Sequence, residues 1–430
     1  MMDTIFALAS AAGKAGVSII RVSGPDALPG CAKMGAKLGP HDRKLVKLEA
    51  ADGVLIDQAF AISFAKGRSF TGEQVVELQT HGSPAIVAAV LSRLSQLGMR
   101  EAEAGEFTRR ALDNGQLDLA QVEGLADLID AETESQRRQA VRVFNGALGD
   151  LADGWRKKLL RAAALLEATI DFVDEEVPVD VYPEVNQLVD SVSKEVQHEA
   201  SGVRVRERVR DGFEVALVGP PNSGKSTLLN RLAGREAAIT SNIAGTTRDV
   251  IEVRMDLDGL ALTVLDTAGL RSSDDELEEI GIARGRERAA AADVRIHLLE
   301  SSDAERESGS DGLDIFVLSK VDSCAHEPHI LGISGVTGQG VDELLEQVSS
   351  YLGNLIAGAG VATRSRHEKA LTAAAGALLD VSSSLVTGGT PVDLLAEDLR
   401  VAIRSLDSLI GRIDVENVLG EIFSSFCIGK

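Results

Sequence analysis

Apolar and polar positions divide the chain into four stretches of different period. Up to about residue 116, short runs such as Val17-Ser18-Ile19-Ile20-Arg21 and Val75-Val76-Glu77-Leu78 alternate with Gly-rich turns, around one helical run near Ala85 to Leu97. That pattern predicts an α+β domain. From 117 to about 210, Gly and Pro thin out, and Leu151, Trp155, Leu159, Ala162 and Leu166 recur at spacings of three and four, giving a helix one apolar face. From Phe213 the runs 215–218, 262–265, 294–299 and 315–318 alternate with helical segments, up to about Gly360. Alternation of this kind predicts a parallel sheet with helices on both faces. The remainder returns to helix. Thr390, Pro391 and Asp393 suit an N-cap, a first-turn proline and an acid at the positive helix end, and Leu395, Leu399, Ile403, Leu406 and Ile410 follow on one face. The order predicts a helical bundle made of two separated segments with the α/β domain inserted between them. The expected domains are 1–116, 117–210, 211–362 and 363–430.

Charge and cysteine usage narrow the function classes. The 430 residues carry a formal net charge of −22, which excludes sequence-independent wrapping of nucleic acid. Any nucleic-acid contact must be local or assisted by a partner. No apolar run reaches the roughly 18 residues that span a bilayer, and no basic start precedes the apolar N-terminal stretch, so a cytoplasmic location without a membrane partner is expected. Cys31, Cys324 and Cys427 lie far apart with no CxxC pair, which suggests neither zinc nor a disulfide framework.

The chemistry concentrates in the inserted domain. Gly219-Pro220-Pro221-Asn222-Ser223-Gly224-Lys225-Ser226 fits G-x-x-x-x-G-K-[ST] between a strand and the helix that Thr227 continues. Glycines let backbone N–H groups turn inward onto phosphate, the helix start adds its positive dipole end, Lys225 supplies a point charge and the Ser226 hydroxyl a Mg2+ ligand. Asp266-Thr267-Ala268-Gly269 follows a strand, so Asp266 is placed for Mg2+ through water and the Gly269 amide for the γ-phosphate. Gly245-Thr246-Thr247-Arg248-Asp249 lies between, where a threonine completes the Mg2+ shell. Guanine is read from Ser319-Lys320-Val321-Asp322: a carboxylate accepts from guanine's ring N–H and amine, a donor pair that adenine lacks. The usual motif begins with Asn where Ser319 stands. Ser334-Gly335 suits the last base-contacting loop. Leu270 occupies the position of the water-orienting Gln of Ras-like GTPases. Hydrolysis is then very slow or another group serves, and Glu278 is either that group or part of a solvated helix face with Asp274, Asp275, Glu276 and Glu279.

These motifs, with Glu278-Glu279-Ile280-Gly281-Ile282, the N-terminal runs IIRVSG, FTGEQVVELQTHG, GEFTRRA and LDLAQVEGLADLIDA, and the ending Cys427-Ile428-Gly429-Lys430, resemble the MnmE (TrmE) family of tRNA modification GTPases along essentially the whole chain. The resemblance implies an N-terminal folate-binding domain that also makes a homodimer, a discontinuous helical domain and an inserted Ras-like G domain. It implies that a flavin-bearing partner, MnmG/GidA, joins in installing an aminomethyl-type group at carbon 5 of the wobble uridine of certain tRNAs. The one-carbon unit would come from a tetrahydrofolate derivative (5-formyl- or methylene-tetrahydrofolate), and GTP hydrolysis would need K+ and pairing of two G domains. Residue by residue, Asn222, Ser241, Ile243 and Thr246 match the K+ site, with Ser241 and Thr246 also beside GTP. Thr247 matches the Mg2+ threonine and Glu278 the catalytic glutamate, which accounts for Leu270. Arg21, Glu77 and Lys430 match folate contacts, and Gln116 stands where many relatives carry a lysine for the folate tail. Cys427 matches the family's terminal cysteine, its role open between nucleophile, base and packing. The rival is a regulatory switch of the Era/Der type, which shares the cradle and Leu270 but lacks the N-terminal domain and the CIGK ending and usually adds a basic RNA-binding module.

Overall fold

The computed structural model describes residues 3–171, 180–235, 238, 252–266, 287–301, 312–323, 329–387, 390–413, 423 and 429. They fall into two compact units, one from 1–126, 144–153 and 406–430, the other from 127–143 and 154–405.

The first unit is built on a six-stranded sheet. Its strands are β1 (Ile5–Leu8), β2 (Ala15–Ser23), β3 (Arg43–Glu49), β4 (Leu55–Phe64), β5 (Val75–Gly82) and β6 (Arg100–Glu101), in the order β3-β4-β5-β2-β1-β6. Alternation decides its faces: Ile20, Val22, Ala59, Ala61, Val76 and Leu78 are buried with Cys31 of α1 (Ala27–Ala32) and Val90 and Leu94 of α2 (Pro84–Gln96). Pro84 opens α2, where its missing N–H costs nothing. On the opposite face Arg21 pairs in register with Glu77, while Leu45 and Phe60 stay exposed. Helices α3 (Glu106–Asp113) and α4 (Leu119–Asp130) follow, and Phe423 packs on Val122. Gly429 has φ +103° and an added Cβ would sit 2.1 Å from the Leu8 carbonyl oxygen, so only glycine lets the chain pass this close to β1.

The second unit takes in α5 (Glu134–Phe144), most of α6 (Ala147–Asp171), α7 (Tyr182–Asp211), α10 (Ser365–Thr387) and most of α11 (Val392–Leu409). The predicted face Leu395, Leu399 and Ile403 is buried, as are Trp155, Leu159 and Leu166. Helix α10 packs along α7. By length and mean hydropathy (1.4) it could cross a membrane, although Asp380 interrupts its apolar positions and no apolar run of 18 residues occurs in it. Its Ala, Leu and Val content accounts for that hydropathy, and His367, Leu371, Ala374, Leu378 and Val381 are buried.

The same unit carries the α/β sheet: β7 (Phe213–Val218), β8 (Glu252–Leu257), β9 (Leu260–Asp266), β10 (Val294–Leu299), β11 (Leu313–Ser319) and β12 (Leu331–Ile333), ordered β12-β11-β10-β7-β9-β8. Helices α8 (Lys225–Ala233) and α9 (Val341–Ala357) bury Leu228, Leu232, Leu344 and Val348 against it. The four strands expected from sequence pair in parallel. The edge strand β8 is antiparallel, because it returns through Asp258-Gly259, both at positive φ (+53° and +85°), the two-residue turn that matches hairpin twist. Its alternating Glu252, Arg254 and Asp256 made it illegible as a buried strand.

Candidate functional site

The cradle hangs from the C-terminal end of β7. Gly219 has φ +155°, and an added Cβ would lie 2.8 Å from the Leu298 carbonyl oxygen; Asn222 and Gly224 are left-handed at +66° and +99°. These conformations turn the loop back toward α8, which Gly224 caps. Lys225 is 4 % exposed, and its Nζ donates to the carbonyls of Gly219 (2.6 Å) and Pro220 (2.8 Å). Burial pushes this ammonium below its usual range, while the nearby Asp266 carboxylate pulls it back up. Ser226 Oγ donates to Asp266 Oδ2 at 2.7 Å, so the hydroxyl and carboxylate read as Mg2+ ligands from sequence meet at one point.

The loops that the sequence reading assigns to guanine close the other side. A cavity of about 190 Å3 is lined by Ser223, Gly224 and Thr227 of the cradle, by Ser319, Lys320 and Asp322, and by Gly335. Seven residues expected from separate motifs therefore border one space. Lys320 is left-handed (φ +58°), a costly conformation for lysine that turns the loop back over the cavity. Asp322 is exposed, and hydrogen bonds from Ser334 and then Ser323 hold its carboxyl below the usual range. Ser334 is fully buried and its Oγ accepts from Thr337 N at 3.1 Å, so it braces the loop and the carboxylate together. Ser319 is buried and donates to the Leu299 carbonyl at 3.0 Å, tying β11 to β10. The Ser223 hydroxyl is buried without a hydrogen-bond partner. Leu298 and Ile333, which the motifs did not reveal, line the same cavity from strand ends. Strand position beside the cradle was the only sequence signal for them.

In the first unit, Arg21 Nε donates to Glu77 Oε1 at 3.0 Å, and the Arg21 guanidinium lies 5.7 Å from the ring centres of both Phe70 and Phe107. The two phenylalanines were missed as site residues, although each sits inside a quoted motif, FTGEQ and GEFTRRA. Gln116 Nε2 donates to Asn114 O at 3.4 Å, and an added Cβ on Gly72 would lie 3.0 Å from Gln116 Cγ. Ser241, Ile243, Thr246, Thr247, Thr267, Ala268, Gly269, Leu270, Glu278, Cys427 and Lys430 lie outside the described residues.

Comparison with known proteins extends the motifs to the whole chain. The family model of the GTP-binding protein TrmE N-terminus matches residues 4–116, and that of the MnmE helical domain matches 119–427. The tRNA modification GTPase MnmE of Cereibacter sphaeroides is 57% identical over 430 residues, covering all of both chains. Those of Ruegeria pomeroyi and Parvibaculum lavamentivorans are 56% and 47% identical, again over the full length of both. With a phosphate cradle and a guanine-type carboxylate facing one cavity, and full-length identity above one half, the chain belongs to the MnmE family of tRNA modification GTPases and is a GTP-hydrolysing enzyme.

Proposed function

We propose that the chain is a K+-activated GTP hydrolase that works with a flavin-dependent partner of the MnmG/GidA type on carbon 5 of the wobble uridine of certain tRNAs. The observation that carries the nucleotide part is the shared cavity between cradle and Asp322. The tRNA part is supported by the full-length relatives. In this reading Lys225, the cradle amides and Ser226 hold the phosphates, Asp322 selects guanine, and Ser334 and Gly335 back the base. Ser226 and Thr247 would hold Mg2+, a role supported by the 2.7 Å contact of Ser226 with Asp266. Asn222, Ser241, Ile243 and Thr246 would hold K+, and the left-handed turn at Asn222 fits a side chain standing on the rim of the cradle. A cation there would supply positive charge beside the transferring phosphoryl group. Glu278, in place of the residue at Leu270, would orient the attacking water, with Thr247 and Lys225 fixing the phosphate end.

The first unit is read as the site for a tetrahydrofolate derivative, held by Arg21, Glu77, Gln116 and Lys430, with Cys427 nearby as a functional thiol. Phe70 and Phe107 flank Arg21 with aromatic faces that suit a flat heterocycle. When bound, the folate would contribute a one-carbon unit. Homodimerisation through this unit is favoured by its exposed apolar side chains Leu45, Val54, Leu55 and Phe60. The domain limits 1–116, 117–210, 211–362 and 363–430 and a cytoplasmic location belong to the same proposal. Two measurements test it. GTP hydrolysis should be markedly faster in K+ than in Na+; equal rates would reject the cation site. Mass spectrometry of wobble nucleosides should show the carbon-5 modification lost in a deletion strain; unchanged nucleosides would favour the Era/Der-type switch.

A further inference from the structure

In a chain of net charge −22, one interhelical surface is short of acids. Helix α5 carries Arg137, Arg138 and Arg142 against a single glutamate, Glu134. Arg137 and Arg138 both pair with that glutamate at 2.7 Å. Arg142, one turn beyond Arg138, is exposed and has no hydrogen bond or ion pair with any described residue. Helices α5 and α7 run antiparallel here: Gln136 Nε2 donates to Arg210 O and Gln139 Nε2 to Arg206 O, each at 2.8 Å. This pairing brings Arg142 up to Arg206. The Arg206 guanidinium is held below its usual range, first by burial and then by the positive charge of Arg142. Its Nη2 donates to the carbonyls of Ala359 (2.6 Å) and Ile356 (3.4 Å), and its Nε is buried without a partner. The carboxylate that faces it, Glu199, is already engaged by the amides of Val361 (2.7 Å) and Ala362 (3.3 Å).

Carbonyl contacts account for Arg206 as a structural group, but no described residue pairs with Arg142. An exposed guanidinium set beside another guanidinium adds repulsion and no contact. An anion would reverse that sign, and the planar fork of the exposed Arg142 suits the paired oxygens of a phosphodiester. A strongly acidic protein can hold RNA only where such local positive charge exists. We propose that Arg142, beside Arg206, is the point on which this chain docks the phosphodiester backbone of tRNA. The inference rests on the tRNA reading above.

The test uses the full-length chain and unmodified tRNA, with affinity measured by fluorescence anisotropy over a series of KCl concentrations. Arg142→Ala should weaken binding about 3- to 10-fold at roughly 0.1 M salt and reduce the slope of log K against log salt by about one. Its melting temperature should equal or exceed that of the unmutated chain, because a like-charge contact is removed. Arg142→Lys should fall between the two. Arg400→Ala, which removes an exposed arginine already paired with Glu167 and Glu397, should leave the slope unchanged. Equal affinity and slope for Arg142→Ala and the unmutated chain would overturn the proposal, as would an equal loss in Arg400→Ala. A loss confined to binding of the flavoprotein partner would assign the surface to an acidic protein instead, and would also overturn it. If the unmutated chain binds no tRNA, alone or with that partner, the underlying tRNA-contact reading fails rather than the choice of residues.

Discussion

Gly335 gives the sharpest test of how the guanine side of the site is built. A methyl group added there would lie 2.9 Å from Leu228 N, 3.0 Å from Thr227 C and 3.2 Å from Leu228 Cα, all backbone atoms of the first turn of α8. Ordinary contact needs about 3.4 Å or more, so Gly335→Ala must part loop and helix by roughly 0.5 Å. The helix cannot yield easily: Leu228 N donates to Gly224 O at 2.9 Å, and Leu228 and Leu229 are both buried in the sheet core. The loop must give, although it is pinned by Ser334 N to Gln339 O (3.0 Å), Gly338 N to Ser334 O (2.8 Å) and Thr337 N to Ser334 Oγ (3.1 Å). Overpacking of this kind costs about 1–3 kcal/mol. Ser334 also holds Asp322, so the displacement is expressed at the carboxylate proposed to select guanine. If the whole cost falls on binding, the Kd rises by between about 5- and 150-fold. GTP and GDP should lose equally, because the loop lies on the base side of the cavity and not on the phosphate side. Titration with fluorescent GDP and GTP analogues measures both, and a thermal melt without nucleotide measures any share taken by folding. An unchanged Kd for both nucleotides with an unchanged melting temperature would refute the close packing described here. A loss confined to GTP would refute the assignment of this loop to the base.

Other outcomes follow from the same geometry. Lys225→Ala should remove detectable nucleotide binding, since the one cation that the described residues place at the cradle is lost; isothermal titration checks it. Ser226→Ala leaves Asp266 without its 2.7 Å donor, and hydrolysis should fall at least about 10-fold in saturating GTP with Mg2+ titrating more weakly, as one proposed ligand of the ion is removed. Asp3 is held down at about 2, chiefly by its hydrogen bond from Arg100 and also by Arg110, with burial opposing. Its folded pKa is depressed, so its contribution to stability is fully present above about pH 4 and is lost as pH falls toward 2; Asp3→Asn should flatten the acid limb of the stability profile in that window. Cys31 is fully buried and burial pushes its thiol up to about 12, so native protein should resist iodoacetamide at pH 8 at this position, by peptide mass mapping, and react once unfolded.

Sequence alone determined the chemistry that depends on order along the chain. The cradle is legible because a loop that presents consecutive amides to phosphate needs glycine at fixed offsets followed by a helix start, and the strand runs 215–218, 262–265, 294–299 and 315–318 are legible because strands buried on both faces are mostly apolar, with Thr263, Arg295 and His297 as the polar exceptions. The face of α11 was legible for the parallel reason in helices. Tertiary structure alone decided what depends on distance. Nothing local brings Asp322 to within one cavity of Ser223, or Asp266 to Ser226, since β7, β9 and β11 are ordered in the sheet by crossovers and not by sequence neighbourhood. Arg21 and Glu77 meet because β2 and β5 pair in one register, and the Phe70 and Phe107 rings reach Arg21 from separate segments. Edge strand β8 escaped the sequence because half of its side chains face water. The unmatched charge of Arg142 became visible only when α5 was seen to lie antiparallel on α7, because a count of residues cannot say which arginines have found a carboxylate and which have found each other.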